Sequence, residues 1–103
     1  MRIVFDLDGT LCRTEGTNYE GSTPIPERIE KVNNLYAEGH EIVIWTARGS
    51  GTGIDWTELT TKQLRAWLVP YHELRVGRSG GKIPFDLFVD DKVVNADDYF
   101  SRN

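Results

Sequence analysis

Two carboxylates at the end of the first apolar run give this chain its clearest chemical signal. The run 3–5 reads Ile-Val-Phe; Asp6 follows it directly, and Asp8 stands just before Gly9. The run predicts a short buried strand that ends in a glycine turn. In an open α/β sheet, ligands gather outside the carboxyl ends of the strands. Because two like charges crowded at such an edge would repel each other, the pair indicates a bound cation, or a nucleophile beside a proton donor.

The elements that must position these acids alternate between strand and helix along the sequence. Near-continuous apolar runs predict buried parallel strands, a further short strand is expected after the second helix, and apolar residues at helical spacing predict two amphipathic helices. Such alternation is typical of parallel strands joined by crossover helices. The predicted strands cover residues 2–5, 41–45, 73–76 and 86–89, the predicted helices cover residues 26–38 and 56–68, and a last short helix is expected at 95–100.

Both predicted helices have recognisable ends and one apolar face each. Pro26 is tolerated in a first turn, Gly39 is suited to end the first helix, and Pro70 stops the second. Asp55, with Glu58 three residues later, forms a capping-box-like pattern before the second helix. The expected inward-facing residues are Ile29, Val32, Leu35 and Tyr36 on the first helix and Leu59, Leu64, Trp67 and Leu68 on the second.

Four segments of the sequence resemble, in the same order, the motifs of one known family. Residues 6–10 read Asp-Leu-Asp-Gly-Thr, and residues 42–48 form an apolar run that ends in Thr-Ala-Arg. Lys82 stands where a third, basic motif would be expected, and residues 85–91 form an apolar run that ends in paired acids. Together these segments resemble the haloacid dehalogenase superfamily, whose members are mostly Mg²⁺-dependent phosphohydrolases. The resemblance extends over residues 1–94, nearly the whole chain.

The resemblance implies a single Rossmann-like α/β domain of three layers, spanning residues 1–103 without a cap domain. Its mainly parallel sheet would have the strand order 3-2-1-4. Residues 9–24 would fold into a helical turn and a small hairpin beside the site. This order places the first strand beside the fourth, so the acids of the first and fourth motifs would meet at one edge of the sheet. Thr46 would approach the same place from the other side.

The two acids of the first motif have separate roles in this family, which the resemblance carries to Asp6 and Asp8. Asp6 would attack the phosphorus and form an aspartyl-phosphate. Asp8 would protonate the leaving alkoxide and then serve as the base that activates water. An acid at position 8 points to rapid hydrolysis, because family members that pump ions carry threonine there and keep their phosphoenzyme longer.

A carboxylate that attacks a phosphate dianion meets strong repulsion, and the resemblance implies Mg²⁺ as the cation that relieves it. Mg²⁺ prefers octahedral oxygen ligands, usually a few carboxylates together with several waters. Asp6, the backbone carbonyl of Asp8, and Asp90 fit that demand. Asp91 could bind the ion directly or through a water molecule.

The resemblance also implies groups that bind the phosphate. Thr46 would donate its hydroxyl to a phosphate oxygen, and backbone amides near Ala47 would add further donors. Lys82 would neutralise phosphate charge and hold Asp6 in place. Arg78, four residues earlier, could take the same role.

Three more side chains could contact the part of a substrate beyond the phosphate. Arg48 and Arg13 are candidates, although a solvated surface position is an equally good interpretation for each. Trp56 follows the glycine-rich loop 47–54 and could stack on a sugar or a base. Packing in the core or at an interface is the more common use of a tryptophan.

Composition narrows the class of protein. A chain of 103 residues is expected to form one domain. Its formal net charge of −4, without a basic run or an interleaved aromatic stripe, predicts no nucleic-acid affinity. The one cysteine, Cys12, rules out an intrachain disulfide framework and is expected to pack as a small residue. With no secretory signal and no membrane span in the sequence, a cytoplasmic protein is expected.

The resemblance implies a phosphomonoesterase that hydrolyses a small-molecule phosphate ester through an aspartyl-phosphate. A phosphomutase uses the same four motifs but normally needs a cap. A phospho-accepting signalling module, or a non-hydrolytic binding protein on the same scaffold, is the alternative from another class. Residues 89–92 are similar to short relatives associated with capsular-polysaccharide biosynthesis. An uncapped subunit of this size could form a homo-oligomer in which a neighbouring copy covers the site.

Overall fold

The computed structural model describes residues 1–77 and 85–89 of the chain. Along these residues strands and helices alternate, as the sequence predicts. A short 3₁₀ turn lies at Tyr19–Gly21. The strands are β1 Arg2–Asp6, β2 Cys12–Arg13, β3 Thr23–Pro24, β4 Glu41–Thr46, β5 Glu73–Val76 and β6 Leu87–Val89, and the helices are α1 Pro26–Ala37 and α2 Thr57–Ala66.

Four of these strands form a parallel sheet in the order β5-β4-β1-β6. Val4 of β1 lies opposite Val43 of β4, and Phe5 lies opposite Val89 of β6. The prediction of the order 3-2-1-4, which counts only the strands of this sheet, is confirmed. Because β1 is an inner strand, its carboxyl end lies between those of β4 and β6.

Both helices pack on one face of the sheet. Alternate residues of β1 and β4 point to that face and lie side by side, Ile3 with Ile42 and Phe5 with Ile44. These side chains share one buried cluster with residues of both helices. Burial of each such aliphatic or aromatic side chain contributes about 1.5–3 kcal/mol, so this cluster fixes the helices on the sheet. The helix residues in the cluster are Ile29 and Val32 of α1 and Leu64 of α2.

The helix faces differ from the predicted ones at two positions. Tyr36 is 40 % exposed and stacks on His72 at the surface, with ring centroids 4.7 Å apart. Leu68 is 76 % exposed, because it lies beyond the end of α2 in a left-handed conformation with φ of 58°. The next amide, that of Val69, donates to the carbonyl of Leu64 at 2.9 Å and closes the helix end. The inward positions predicted for Tyr36 and Leu68 are therefore wrong.

A small hairpin stands between β1 and α1. β2 and β3 pair antiparallel around the 3₁₀ turn, as expected. No cap domain is present in the described part of the chain. The opposite face of the sheet carries Val4 and Val43, both fully buried. The predicted third layer over that face, and the predicted helix at 95–100, fall outside the described residues.

Neither α1 nor α2 combines the length and apolar character that crossing a bilayer would require.

Candidate active site

Asp6 is the last residue of β1 and lies at the carboxyl edge of the sheet. It pairs with Trp45 in the register between β1 and β4. Its half-buried carboxylate accepts a hydrogen bond of 3.0 Å from the amide of Leu7. The side chain of Leu7 is fully buried in the core, which fixes the direction in which the chain leaves the strand. Asp6 therefore projects from a rigid inner strand rather than from a loop.

A tight turn follows β1 and carries Asp8. The carbonyl of Leu7 accepts hydrogen bonds from three successive amides, those of residues 10–12, at 3.2, 2.9 and 3.2 Å. Gly9 has φ of 84°, a conformation that side chains with a Cβ rarely adopt. The glycine after the second acid thus lets the turn close immediately.

The carboxylate of Asp8 is held by three side chains from two parts of the chain. The hydroxyl of Thr14 donates to one oxygen at 2.7 Å, and the hydroxyl of Thr46 donates to the other at 3.1 Å. The guanidinium of Arg48 spans both oxygens, with Nη2 at 2.8 Å from Oδ1 and Nε at 3.0 Å from Oδ2. This two-pronged geometry fixes the orientation of the carboxylate as well as its charge.

Arg48 is buried, with only 1 % of its surface exposed. Its Nη1 donates to the hydroxyl of Thr60 at 3.1 Å and to the side-chain oxygen of Gln63 at 2.5 Å. The ring of Tyr19 covers the guanidinium, with 4.8 Å between the ring centroid and the guanidinium carbon. The sequence predicted that Arg48 contacts substrate or, alternatively, lies solvated at the surface. Its buried position agrees with neither prediction. The side chain turns inward because Asp8 and two polar groups of α2 satisfy its donors.

Sequence reasoning missed the residues of α2 that hold Arg48. Thr60 and Gln63 lie three residues apart on the buried face, next to Leu64. The side-chain amide of Gln63 also donates to the backbone carbonyl of Tyr19 at 2.6 Å, which joins α2 to the hairpin. One sequence signal could have identified them. Thr60 and Gln63 are polar residues at the spacing of one helix face, next to the apolar Leu64.

Two titratable groups near the turn have shifted pKa values. Burial of Asp8 tends to raise its pKa, but hydrogen bonds from Arg48 and Thr14, together with the charge of Arg48, outweigh burial and lower the pKa from its ordinary 3.8. Asp8 is therefore ionised at neutral pH. Burial raises the pKa of the Cys12 thiol to about 11, so this thiol is neutral and packs as a small residue.

The end of β4 brings Thr46 and Ala47 to the same edge as Asp6. Thr46 is fully buried. Its hydroxyl accepts a hydrogen bond of 3.2 Å from the amide of Arg48 and donates one to the carboxylate of Asp8. Ala47 lies beyond the strand and is exposed. Residues predicted to bind phosphate thus lie beside the strand end that carries the predicted nucleophile.

Part of the predicted metal and phosphate set cannot be placed in the fold. β6 ends at Val89, which lies beside Phe5 of β1, the residue before Asp6. The residues of this set that lie outside the described ranges are Arg78, Lys82, Asp90 and Asp91.

Within residues 1–77 and 85–89, no group of three or more His, Cys, Asp or Glu side chains is placed to hold a metal ion. This part of the chain offers two of the predicted oxygen donors, the carboxylate of Asp6 and the backbone carbonyl of Asp8. The carboxylate of Asp8 is occupied by Arg48, which leaves only its carbonyl for a cation.

The other two predicted substrate contacts differ in exposure. Arg13 on β2 is exposed. Trp56 is half-buried and packs edge-to-face against Tyr19, with ring centroids 5.0 Å apart. It directly precedes α2, whose first amide donates to the carboxylate of Asp55 at 2.9 Å. Trp56 therefore stands between the hairpin and the loop that leaves β4.

Replacement of Gly49 in this loop by alanine is expected to destabilise the protein by about 2 kcal/mol or more. An added Cβ would lie 2.0 Å from the backbone oxygen of Ile54, and Gly49 has φ of 83°. Urea unfolding measures the effect, and Gly51→Ala is the matched control, because no atom lies within 4 Å of a Cβ there. Equal stability of the two variants would contradict the tight loop closure.

The chain is an α/β domain with Asp6 and Asp8 at the carboxyl edge of a parallel sheet, and solved structures share its fold. A structural-genomics protein from Vibrio cholerae is 30 % identical over 99 % of this chain and 89 % of its own, with a TM-score of 0.76. The chain belongs to the same family as this Vibrio cholerae protein.

A second structure, that of the Pnkp1/Rnl/Hen1 complex, shares the fold at lower similarity. It is 15 % identical over 97 % of this chain and 33 % of the matched chain, with a TM-score of 0.59. No protein-family model and no curated protein matches the sequence.

Proposed function

We propose that this protein is a Mg²⁺-dependent phosphomonoesterase of the haloacid dehalogenase type, which works through an aspartyl-phosphate on Asp6. The observation that supports this most directly is the arrangement at the end of β1. One carboxylate projects from the strand end, and a second, two residues later, is fixed by Arg48 and Thr46. The order of the four sequence segments supports the same activity.

In the first step, a carboxylate oxygen of Asp6 attacks the phosphorus in line with the ester oxygen. The new O–P bond forms as the ester O–P bond breaks, and the alcohol leaves with a proton from Asp8. Because Asp8 is ionised in the resting site, it must take up a proton before an alcohol leaves. The rigid strand end serves this step by holding Asp6 in a fixed direction.

In the second step, water attacks the phosphorus of the acyl phosphate and Asp8 accepts its proton. Inorganic phosphate is released and the carboxylate of Asp6 is restored. The low pKa of Asp8 keeps it in the ionised form that a base requires. Arg48 orients that base through both carboxylate oxygens and does not itself contact the phosphate.

Mg²⁺, when bound, neutralises phosphate charge that would otherwise repel the carboxylate of Asp6. The described donors fit this ion, because a carboxylate and a carbonyl are hard oxygen ligands. We assign the carboxylate of Asp6 and the backbone carbonyl of Asp8 to the metal, with Asp90 and Asp91 proposed to complete the set.

The hydroxyl of Thr46, an amide at Ala47, and Lys82 or Arg78 are proposed to bind the phosphate oxygens. The proton of Thr46 is donated to Asp8 in the structure, and a phosphate oxygen would compete for it. Substrate binding would therefore weaken one of the bonds that hold Asp8 ionised.

The purified protein is expected to hydrolyse a chromogenic aryl phosphate in Mg²⁺ and to lose at least about 100-fold in rate when the metal is chelated. Excess Mg²⁺ should restore the rate. The measurement is the steady-state release of the chromophore, with the same protein in buffer and in chelator. A turnover rate that is unchanged by the chelator would contradict the assignment of Mg²⁺. A stoichiometric phosphoprotein that persists for minutes without turnover would instead identify a phospho-accepting module.

A further inference from the structure

A small cavity opens beside the proposed phosphate site. It has a volume of about 240 Å³ and lies between the hairpin and the loop that follows β4. Ala47, directly after Thr46, forms part of its wall. Tyr19 forms another part, and the same ring covers the guanidinium of Arg48. Ala47 is thus the neighbour in sequence of Thr46, and Tyr19 contacts Arg48, and both Thr46 and Arg48 bind Asp8.

The wall of this cavity carries no charged side chain among the residues that the structure describes. Tyr19 and Trp56 supply aromatic surface, and Ser50 and Thr52 supply hydroxyls. A second cavity at the hairpin, of about 490 Å³, differs in that Arg13 and Glu15 form part of its wall. A ligand with an additional charge would find no partner in the smaller cavity and would lose hydration there.

The size and chemistry of the smaller cavity suit a ring that carries hydroxyl groups. Binding sites for small molecules combine apolar walls with a few polar groups that fix orientation. The half-buried rings of Tyr19 and Trp56, 5.0 Å apart and inclined by 76°, offer surface for the apolar face of such a ring. Ser50 and Thr52 can both donate and accept hydrogen bonds to its hydroxyls.

We propose that this cavity receives the alcohol part of the ester, and that this alcohol is an uncharged ring such as a sugar or a nucleoside. The inference rests on the proposed function, because the phosphate must lie at Asp6 for its alcohol to reach the cavity. The loop after β4 therefore serves two purposes. Its first residue is proposed to bind the phosphate, and Ser50, Thr52 and Trp56 select the group attached to it.

The first test compares kcat/KM in Mg²⁺ for matched phosphate esters. Hexose phosphates and nucleoside 5′-monophosphates both present uncharged rings. A comparison of their rates shows whether the preferred alcohol is a sugar or a nucleoside. Phosphoserine and a phosphoglycerate present charged, open-chain alcohols. At least one of the ring esters is expected to exceed both charged esters by about 10-fold or more. Trp56→Ala is expected to reduce that ratio toward unity. Equal rates across the panel, or a preference for the charged esters, would overturn the assignment.

A second test does not depend on turnover. The free sugar or nucleoside of the preferred ester, or of each ring ester if none turns over, is titrated while tryptophan fluorescence is recorded. A saturable change is expected in the native protein and should disappear in Trp56→Phe. Trp45→Phe is the matched control, because Trp45 contacts Phe88 on the opposite face of the sheet. A change that survives in Trp56→Phe, or the lack of any change, would overturn the assignment. Saturable binding without hydrolysis of any ester would support the cavity and overturn the proposed phosphatase.

Discussion

Replacement of Arg48 by methionine is expected to destabilise the fold by about 3 kcal/mol and to reduce turnover by about 100-fold or more. Methionine fills much of the same volume but leaves Asp8, Thr60 and Gln63 without their shared donor. Removal of one partner from a buried ion pair costs about 3–5 kcal/mol. We expect the lower end, because the Asp8 side chain is 26 % exposed and keeps two hydroxyl donors. Urea unfolding and steady-state kinetics measure the two effects.

The control and the pH profile separate a positioning role from a purely structural one. Arg65→Met, in the exposed last turn of α2, should change stability by no more than about 0.5 kcal/mol. Arg48→Lys keeps the charge without the two-pronged geometry, and we expect intermediate losses. Because Arg48 lowers the pKa of Asp8, its removal should move the acid-side limb of kcat to higher pH. A destabilised Arg48→Met variant with native kcat and an unmoved limb would show that Arg48 is structural only.

Asp6→Asn is expected to abolish phosphatase turnover, by about 10⁴-fold or more, while leaving the fold intact. The amide cannot form the acyl phosphate, and it also removes a negative ligand from the proposed metal site. Folding should be little affected, because Asp6 lies at the sheet edge and its backbone pairing with Trp45 is unchanged. Rapid quenching with a labelled ester measures both turnover and phosphoprotein, and no labelled protein should form.

Asp86→Asn is the matched control for Asp6→Asn. Asp86 directly precedes β6, at the amino edge of the sheet, opposite the carboxyl edge that carries Asp6. Its carboxylate accepts a hydrogen bond of 2.6 Å from the amide of Arg2. This variant should retain turnover within about twofold, since it removes a carboxylate far from the site. Retention of near-native turnover in Asp6→Asn, with a normal unfolding curve, would show that the nucleophile lies elsewhere.

The sheet and both described helices could be predicted from the sequence because their signals are local. β1, β4 and β6 each contain a short apolar run, β5 alternates charged and apolar residues, and each helix has apolar residues at helical spacing. The predicted range for the third strand coincides with β5, and those for the two helices differ from α1 and α2 by no more than two residues at either end. Leu68 was misplaced because its position depends on a left-handed residue beyond α2, and the apolar pattern does not reveal backbone conformation.

The candidate site was predictable in its backbone positions but not in its side-chain contacts. Asp6 and Thr46 were placed correctly at strand ends, since parallel strands present their carboxyl ends together. Arg48 could not be placed, because an arginine after a strand is compatible with a solvated position. Its burial required polar partners on α2, and only the packed helix brings Thr60 and Gln63 to it.

By itself, the sequence determined which chemical groups stand at the ends of the strands, because composition and periodicity are properties of neighbouring residues. The tertiary structure decided the lowered pKa of Asp8, the burial of Arg48 and the uncharged wall of the small cavity. These features depend on contacts between distant residues, such as Asp8 with Arg48, 40 positions apart, and Gln63 with Tyr19, 44 positions apart. No local pattern encodes such distances, since they are set only when α2 and the hairpin pack against the same edge of the sheet.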